Sequence, residues 1–506
     1  MLLHHQFVLA AKQQGSKVAI VDSTLGVRVT YRQALIRALV LARRFATFPA
    51  GFVGIALPNT AATVVAILGT LMSGRIPVMV NYATGLAESC RMAQDRCGFR
   101  TIITSRAFCD RLGCQPVDGM VYLEDLRDSV SLVDRLIAAA KAFSPMPALL
   151  RSVHSGSEDD TAVLLFTSGS EKAPKAVPLT HRNISASIES LHAAFGLRSD
   201  DIFLANLPYF HVFGQTANIW APFAHQMTIV TVANPLDYRG TCDVVRRERV
   251  TLVAGTPTLF WGYQRGSQPG DFDTCRLLLT AADRCPEQLH TAFLDKHRKV
   301  LYEAYGATET SPAISANTPS DHRLGSVGRP LGGVSVRIEG LKSGKECAPG
   351  ESGAILVAGA SVMRGYFGAP ESTAEVLRNG WYDTGDVGYL DTEGFLWLTG
   401  RLRRFAKVGG EMVSLVRVED ALLPLLPDQA ECCVVEVPDA IRGSMLIAVV
   451  TTPVDEKAVL ESLVAVLPMF GLPGRFVVVD ELPKTASGKV DFRAVTALVG
   501  TAIAGG

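Results

Sequence analysis

The chain has no excess of either charge: Lys+Arg and Asp+Glu both number 49 among 506 residues. A balanced chain has no global field to draw nucleic acid or an anionic membrane as principal partner, so electrostatic recognition falls to local patches. Long apolar runs are also missing. The longest, from Ala61 to Met72, falls well short of the roughly 20 residues that span a bilayer and reads as a buried core helix. The opening Met1-Leu2-Leu3-His4-His5 lacks the charged flank, apolar segment and cleavage site of a secretory signal. The ten cysteines show no Cys-x-x-Cys spacing and no metal-type clustering with histidine, which points to reduced thiols in a cytoplasmic protein. Neither an internal repeat nor a low-complexity tract is present. No nucleic-acid partner and no transmembrane segment are expected, while peripheral contact with a membrane is allowed.

What is present is enough apolar material, 48% of residues, for a large core, which at this length divides into at least two domains. From about residue 28 to 310, short β-branched runs alternate with helical patterns, the signature of parallel α/β layers. Val53–Leu57, Ile76–Val80, Ala162–Phe166, Thr228–Val232, Arg276–Leu279 and Lys299–Tyr302 are strand candidates. After Thr180, apolar Ile184, Ile188, Leu191 and Phe195 recur at helical spacing, with Thr180 as N-cap and Gly196 as terminator. From about 325 to 400 the pattern changes to short strands separated by Gly, Pro and Asp, a small β region that includes Ser335–Ile338 and Ala354–Val357. The final hundred or so residues return to mixed α+β patterning, with Cys432-Cys433 expected in a strand. The boundary is placed where Gly400 precedes the cation-rich Arg401-Leu402-Arg403-Arg404-Phe405-Ala406-Lys407.

The densest chemistry lies in Thr167-Ser168-Gly169-Ser170-Glu171-Lys172-Ala173-Pro174-Lys175. The loop follows an expected strand, and its hydroxyls, backbone amides and Lys175 can wrap phosphates. It is not a Walker loop, because the Gly-Lys-Ser/Thr ending is missing. Judged alone it is better read as a polar surface turn. It does not stand alone: Tyr305-Gly306-Ala307-Thr308-Glu309, Asp383-Thr384-Gly385-Asp386, Gly400-Arg401 and Ser487-Gly488-Lys489 follow in order. Each has a bland alternative as well: a capped turn, a Gly-Asp turn, a solvated arginine, an exposed terminal lysine. His211 in Leu207-Pro208-Tyr209-Phe210-His211 is equally open between a pocket residue and a buried histidine satisfied by backbone.

As an ordered set, the motifs resemble the ATP-dependent adenylating superfamily of acyl-CoA synthetases, nonribosomal-peptide adenylation domains and luciferases. The resemblance implies an α/β enzyme whose N-terminal domain, 1–400, holds two doubly wound α/β subdomains and a small β-barrel region. A small mobile α+β domain, 401–506, would act as its lid. It implies ATP and Mg²⁺ as cofactors and a carboxylic acid, of fatty or other hydrophobic type, as substrate. Thr167, Ser168, Gly169, Ser170 and Lys175 would hold the β- and γ-phosphates, and Thr308 would contact the α-phosphate. Tyr305 would stack on adenine, with Glu303 accepting from its amino group and Ala282 and Asp283 lining the pocket. Asp386 and Arg401 would bind the ribose, Glu309 would hold the metal, and His211 would gate the carboxylate pocket. Arg404 would be the hinge, and Lys489 would bridge substrate carboxylate and α-phosphate.

Arg403–Ser414, Asn81-Tyr82, Asn234–Arg239 and Gly488–Phe492 are most similar to the acyl-carrier-protein synthetase domain of bacterial 2-acylglycerophosphoethanolamine acyltransferases. The implied acceptor is a phosphopantetheine thiol, of acyl carrier protein first and of free coenzyme A as the rival. Carrier proteins are acidic, and the cations between Arg401 and Lys407 are placed to steer one; a solvated hinge explains them equally. Departures from the superfamily pattern are Glu171-Lys172, Ala176, Ala281 and Glu303. Of these, Lys172, Ala176 and Ala281 leave open a homologue that binds nucleotide or carrier without catalysis, against which Glu309, Asp386 and Lys489 argue.

Overall fold

The computed structural model describes residues 1–167, 174–408, 411–427, 430–439, 443–484 and 490–504. Two compact units are present: Met1–Thr167 with Pro174–Ser335 and Ala358–Tyr382, and Val336–Val357 with the chain from Asp383 onward.

The larger unit contains two mostly parallel sheets. The six-stranded one runs, edge to edge, Met120–Tyr122, Ile102–Thr104, Gly51–Ile55, Arg75–Met79, Thr161–Phe166 and Ala176–Thr180. Only the last pair is antiparallel. The nine-stranded one runs Arg329–Pro330, Ala313–Ala316, Leu301–Gly306, Leu277–Ala281, Leu252–Gly255, Ile202–Ala205, Thr228–Thr231, Val18–Asp22 and Val27–Thr30. Its six central strands are parallel, and antiparallel pairs close both edges. Strands alternate with helices, so both faces of each apolar strand find cover.

Local signals explain the elements. Thr180 accepts from the Asn183 amide while its own amide donates to Asn183 Oδ1, both at 3.0 Å, a capping box that starts the helix His181–Phe195. Gly196 closes it at φ 54°, with its amide on His192 O. The apolar run Ala61–Met72 is one helix, buried at every position except Ala62. There Gly69 permits close packing: a Cβ would lie 2.8 Å from Leu41 Cβ on the neighbouring helix Tyr31–Phe45. The strand expected at Lys299–Tyr302 lies instead at Leu301–Gly306. It starts and ends later because parallel pairing with Leu277–Ala281 carries it through Ala304.

The β region forms a sheet of Val334–Glu339, Gly353–Gly359, Trp381–Leu390 and Leu377–Arg378, with Leu396–Arg401 paired to Trp381–Leu390. Farther on, Cys432–Asp439, Gly443–Val450 and Arg475–Val478 make a three-stranded sheet. Side chains alternate across it with period two. Val434, Leu446 and Ala448 pack with Val418, Leu422 and Leu463, while Cys433, Val435 and Ile447 pack with Val495 and Val499 of the last helix. Cys433 is thus a core residue of a strand, and all ten thiols are free. No helix among the described residues is long and apolar enough to cross a membrane.

Candidate active site

In open parallel sheets, ligands collect at the carboxyl ends of strands. Thr167 directly follows the strand Thr161–Phe166, and Ala282 and Asp283 follow Leu277–Ala281. Tyr305 lies near the end of Leu301–Gly306, and the turn Thr308–Thr310 comes next. In register, Thr280 faces Glu303 and Ala281 faces Ala304.

The loop from Thr167 to Lys175 is pinned at its two described ends. Thr167 N donates to Lys175 O, and Lys175 N donates to Thr167 Oγ1, both at 3.0 Å. Ser168, Gly169 and Ser170 lie outside the described residues. Lys175 Nζ sits 4.3 Å from the centre of the Tyr366 ring, a cation–π contact. Tyr366 in turn donates its hydroxyl to Glu309 Oε1 at 2.7 Å. The backbone braces the same junction: Phe367 N donates to Ala176 O at 2.9 Å and Met363 N to Glu309 O at 2.7 Å. Tyr366 therefore joins two motifs more than a hundred residues apart. Sequence reasoning passed over it, and the only signal was a Gly-Tyr pair just before the helix Pro370–Val376.

Glu309 is buried, and its hydroxyl partner leaves the carboxylate charge uncancelled, with lone pairs to spare. That suits a hard divalent cation. Among the described residues no group of three or more His, Cys, Asp or Glu side chains could hold a metal. A cation here would complete its shell with phosphate oxygens and water, as magnesium does on nucleotides.

Glu303, also buried, accepts from Cys285 N at 3.4 Å and lies 3.3 Å from His290 Nε2. It is a fixed acceptor beside Tyr305, and His290 is a second residue that the motifs did not flag. Burial pushes the neighbouring Cys285 thiol up, with the Glu303 charge acting the same way, so the thiol stays protonated. Ala282 has φ +75°, a left-handed backbone that costs a Cβ-bearing residue about 1–2 kcal/mol. Asp283 is exposed and accepts from Arg284 N.

His211 precedes the short helix Val212–Gln215, which continues as a π-helical turn, Thr216–Trp220. Thr216 Oγ1 donates to Ser311 O at 3.0 Å, tying this element to the chain just past Thr308 and Glu309. The His211 ring lies 4.6 Å from Phe210, which meets the edge of Tyr82 at 4.7 Å; Tyr82 meets Phe108 at 4.9 Å. An aromatic wall thus adjoins His211.

In the smaller unit, strand pairing sets Asp386 opposite Arg401, whose Nε donates to Asp386 Oδ1 at 2.7 Å. Thr384 Oγ1 donates to Ile355 O and accepts from Asp386 N, fixing the backbone at Asp386. Arg404 is buried. It donates to Val434 O at 2.9 Å, is ion-paired with Glu419, and lies 3.8 Å over the Phe492 ring. Glu419 also accepts from Val434 N at 2.7 Å. Burial holds the Glu419 carboxyl above its usual range, with Arg404 pulling it down. Lys489 lies outside the described residues. Its motif is flanked by Lys484, bridged to Val490 and paired with Glu431, and by Phe492 under Arg404.

Comparison with known proteins identifies the family. Residues 7–367 match the family model for AMP-binding enzymes, and 417–489 match the AMP-binding enzyme C-terminal domain. The chain is 35% identical to a long-chain-fatty-acid–CoA ligase of Bacillus subtilis, over 66% of this chain and 61% of that protein. It is 30% identical to a sulfoacetate–CoA ligase of Cupriavidus necator, over 95% and 94% of the two chains. The solved o-succinylbenzoate CoA synthetase of Bacillus subtilis, in complex with its acyl-adenylate intermediate, superposes with a TM-score of 0.83. That match has 25% identity and 97% coverage of both chains. The chain belongs to the AMP-binding family of adenylate-forming enzymes.

Proposed function

We propose that this enzyme activates a hydrophobic carboxylic acid with MgATP and passes the acyl group to the thiol of coenzyme A. One observation carries the reading: the Lys175–Tyr366–Glu309 chain of contacts links a cation just before the strand Ala176–Thr180 of one sheet to a carboxylate just after Leu301–Gly306 of the other, the strand that carries Tyr305 and Glu303.

In the first half-reaction a substrate carboxylate oxygen attacks the α-phosphorus, and the bond from that phosphorus to the bridging oxygen breaks, releasing pyrophosphate. Two anions meet, so the site must neutralise charge on both and on the leaving group. Lys175 and the Thr167 hydroxyl face the leaving phosphates. Thr308 contacts the α-phosphate, Tyr305 stacks on adenine, and Glu303 accepts from its amino group. Asp386 and Arg401 take the ribose hydroxyls. Glu309 would hold magnesium, which would supply charge neutralisation at the phosphates. His211 gates the acid, whose apolar body fits the Tyr82, Phe108 and Phe210 wall. Residues 401–506 form the mobile lid, which delivers Lys489 to bridge the two reacting anions. In the second half-reaction the thiol sulfur attacks the acyl carbonyl carbon, its proton is lost, and AMP departs.

Coenzyme A replaces acyl carrier protein as the acceptor we favour. The relatives are described as CoA ligases. Moreover, two of the cations between Arg401 and Lys407 are internally committed, Arg401 to Asp386 and Arg404 to Glu419, which weakens the steering argument. The reaction is assigned to the cytoplasm, where free thiols persist. The test supplies ATP and an acid panel with coenzyme A or holo carrier protein and identifies the thioester by mass. Acyl-CoA is expected. A thioester on the carrier protein alone overturns the acceptor, and absence of ATP–pyrophosphate exchange with every acid overturns the reaction.

A further inference from the structure

The helix Leu132–Phe143 carries an anomaly. Among the described residues, seven large apolar side chains are at least 60% exposed, and four belong to this one helix: Leu132, Val133, Leu136 and Phe143. Their spacing, with Ala140 between, draws one continuous stripe along the helix. Contiguous exposed apolar surface of this kind marks an interaction site, whereas single exposed residues are ordinary.

The stripe cannot rotate inward, because the opposite face is anchored. Asp134 closes a capping box with Ser131 and pairs with Arg43 and Arg44 at 3.1 and 2.9 Å. Ala138 and Ala142 are buried. Lys12 Nζ donates to the carbonyls of Ala142 and Ser144 at 3.3 and 2.9 Å, fixing the C-terminal turn.

The rim of the stripe is cationic. Arg32, an exposed residue, lies 4.9 Å over the Phe143 ring. Arg135 is exposed beside Leu136, and Arg43 flanks the other end at 56% side-chain exposure. The helix's one acid, Asp134, is consumed by its two arginines. In the preceding helix, Leu123–Ser129, Asp125 is paired with Arg106 and Asp128 with Arg127, while Glu124 is held by Ser105 and the Arg106 amide and keeps its charge.

We propose that this face docks the enzyme on an anionic lipid bilayer. The apolar stripe would enter the acyl boundary, and the arginines would meet lipid phosphates, the division of labour of an interfacial amphipathic helix. A second copy seated on the same face would set arginine against arginine, so charge complementarity favours lipid over self-pairing. The inference stands apart from the proposed reaction, and its test reads binding alone.

The full chain is co-sedimented with vesicles of phosphatidylcholine and with equimolar phosphatidylcholine and phosphatidylglycerol, at low and high salt. Binding to the mixed vesicles that weakens in salt is expected, with little on phosphatidylcholine alone. The double variant Leu136→Asp, Phe143→Asp should lower partitioning by at least about tenfold at unchanged melting temperature. The milder Leu136→Ser and Arg135→Glu variants should each lower it partially. Light scattering in parallel reports association between copies. The proposal is overturned if the wild type ignores anionic vesicles, if the double variant binds equally well, or if the wild type is a dimer that the double variant makes monomeric.

Discussion

The carboxylates at the candidate site of the larger unit and those of the smaller unit handle charge in opposite ways. In the larger, Glu309 rests on a tyrosine hydroxyl, and Glu303 on a backbone amide and a histidine. In the smaller, Asp386 and Glu419 each face an arginine. A carboxylate held by a hydroxyl keeps its charge for a ligand, whereas one held by a guanidinium has largely spent it on structure. The first arrangement suits capture of a metal nucleotide, and the second suits a rigid lobe whose binding elements are fixed in advance.

The largest effect that would break this contrast is functional. Glu309→Gln keeps an acceptor for Tyr366 but removes the charge. ATP–pyrophosphate exchange should fall by about 10²–10³-fold, up to about 4 kcal/mol, while the melting temperature of the nucleotide-free protein barely moves. A variant that loses stability and keeps exchange would place Glu309 among the structural carboxylates.

Glu419→Ala should do the reverse. It strands Arg404 in the interior at a cost of about 3 kcal/mol, read as a lower denaturation midpoint for the smaller unit. Arg404→Met with Glu419→Leu should recover most of that loss, because the desolvation cost vanishes with the charges. Failure of the double variant to recover would mean that the pair contributes more than mutual neutralisation.

Acid tests the larger unit. Burial lowers His4 to about 3 and His181 to about 4 from an ordinary 6.5, and the two rings lie 5.7 Å apart. Because the unfolded chain takes up protons first, stability is full above about pH 6.5 and drains as pH falls toward 4. At pH 5 each ring accounts for about 2 kcal/mol, measurable as a shift in urea midpoint between pH 7.5 and 5. A midpoint flat across that range would show that both rings protonate without cost.

The smallest effect sharpens the strand-end strain. Ala282→Gly relieves φ +75° but loosens the unfolded chain, so a net gain of up to about 1 kcal/mol is expected in thermal unfolding.

Much of this architecture was legible because it is written locally. The Thr180 capping box, the Gly196 terminator and the buried Ala61–Met72 helix each depend on residues within one turn of one another. The order of the motifs carried the family, since every motif lies in one linear series. What was not legible depends on contacts between distant segments. Tyr366 acquires meaning only when the fold brings Lys175 and Glu309 to it. Arg404 looks like one more cation in a hinge until Glu419, Val434 and Phe492 close around it. The positive φ of Ala282 arises where the chain leaves a parallel strand, and an Ala-Ala pair does not announce it.

The central claim is that residues 401–506 supply one mobile charge, Lys489, for adenylation. Measuring both half-reactions of Lys489→Ala tests it most directly: ATP–pyrophosphate exchange, and thioester formation from supplied acyl-adenylate. The account predicts loss of exchange with thioester formation largely retained. Equal loss of both, or retention of exchange, would contradict it.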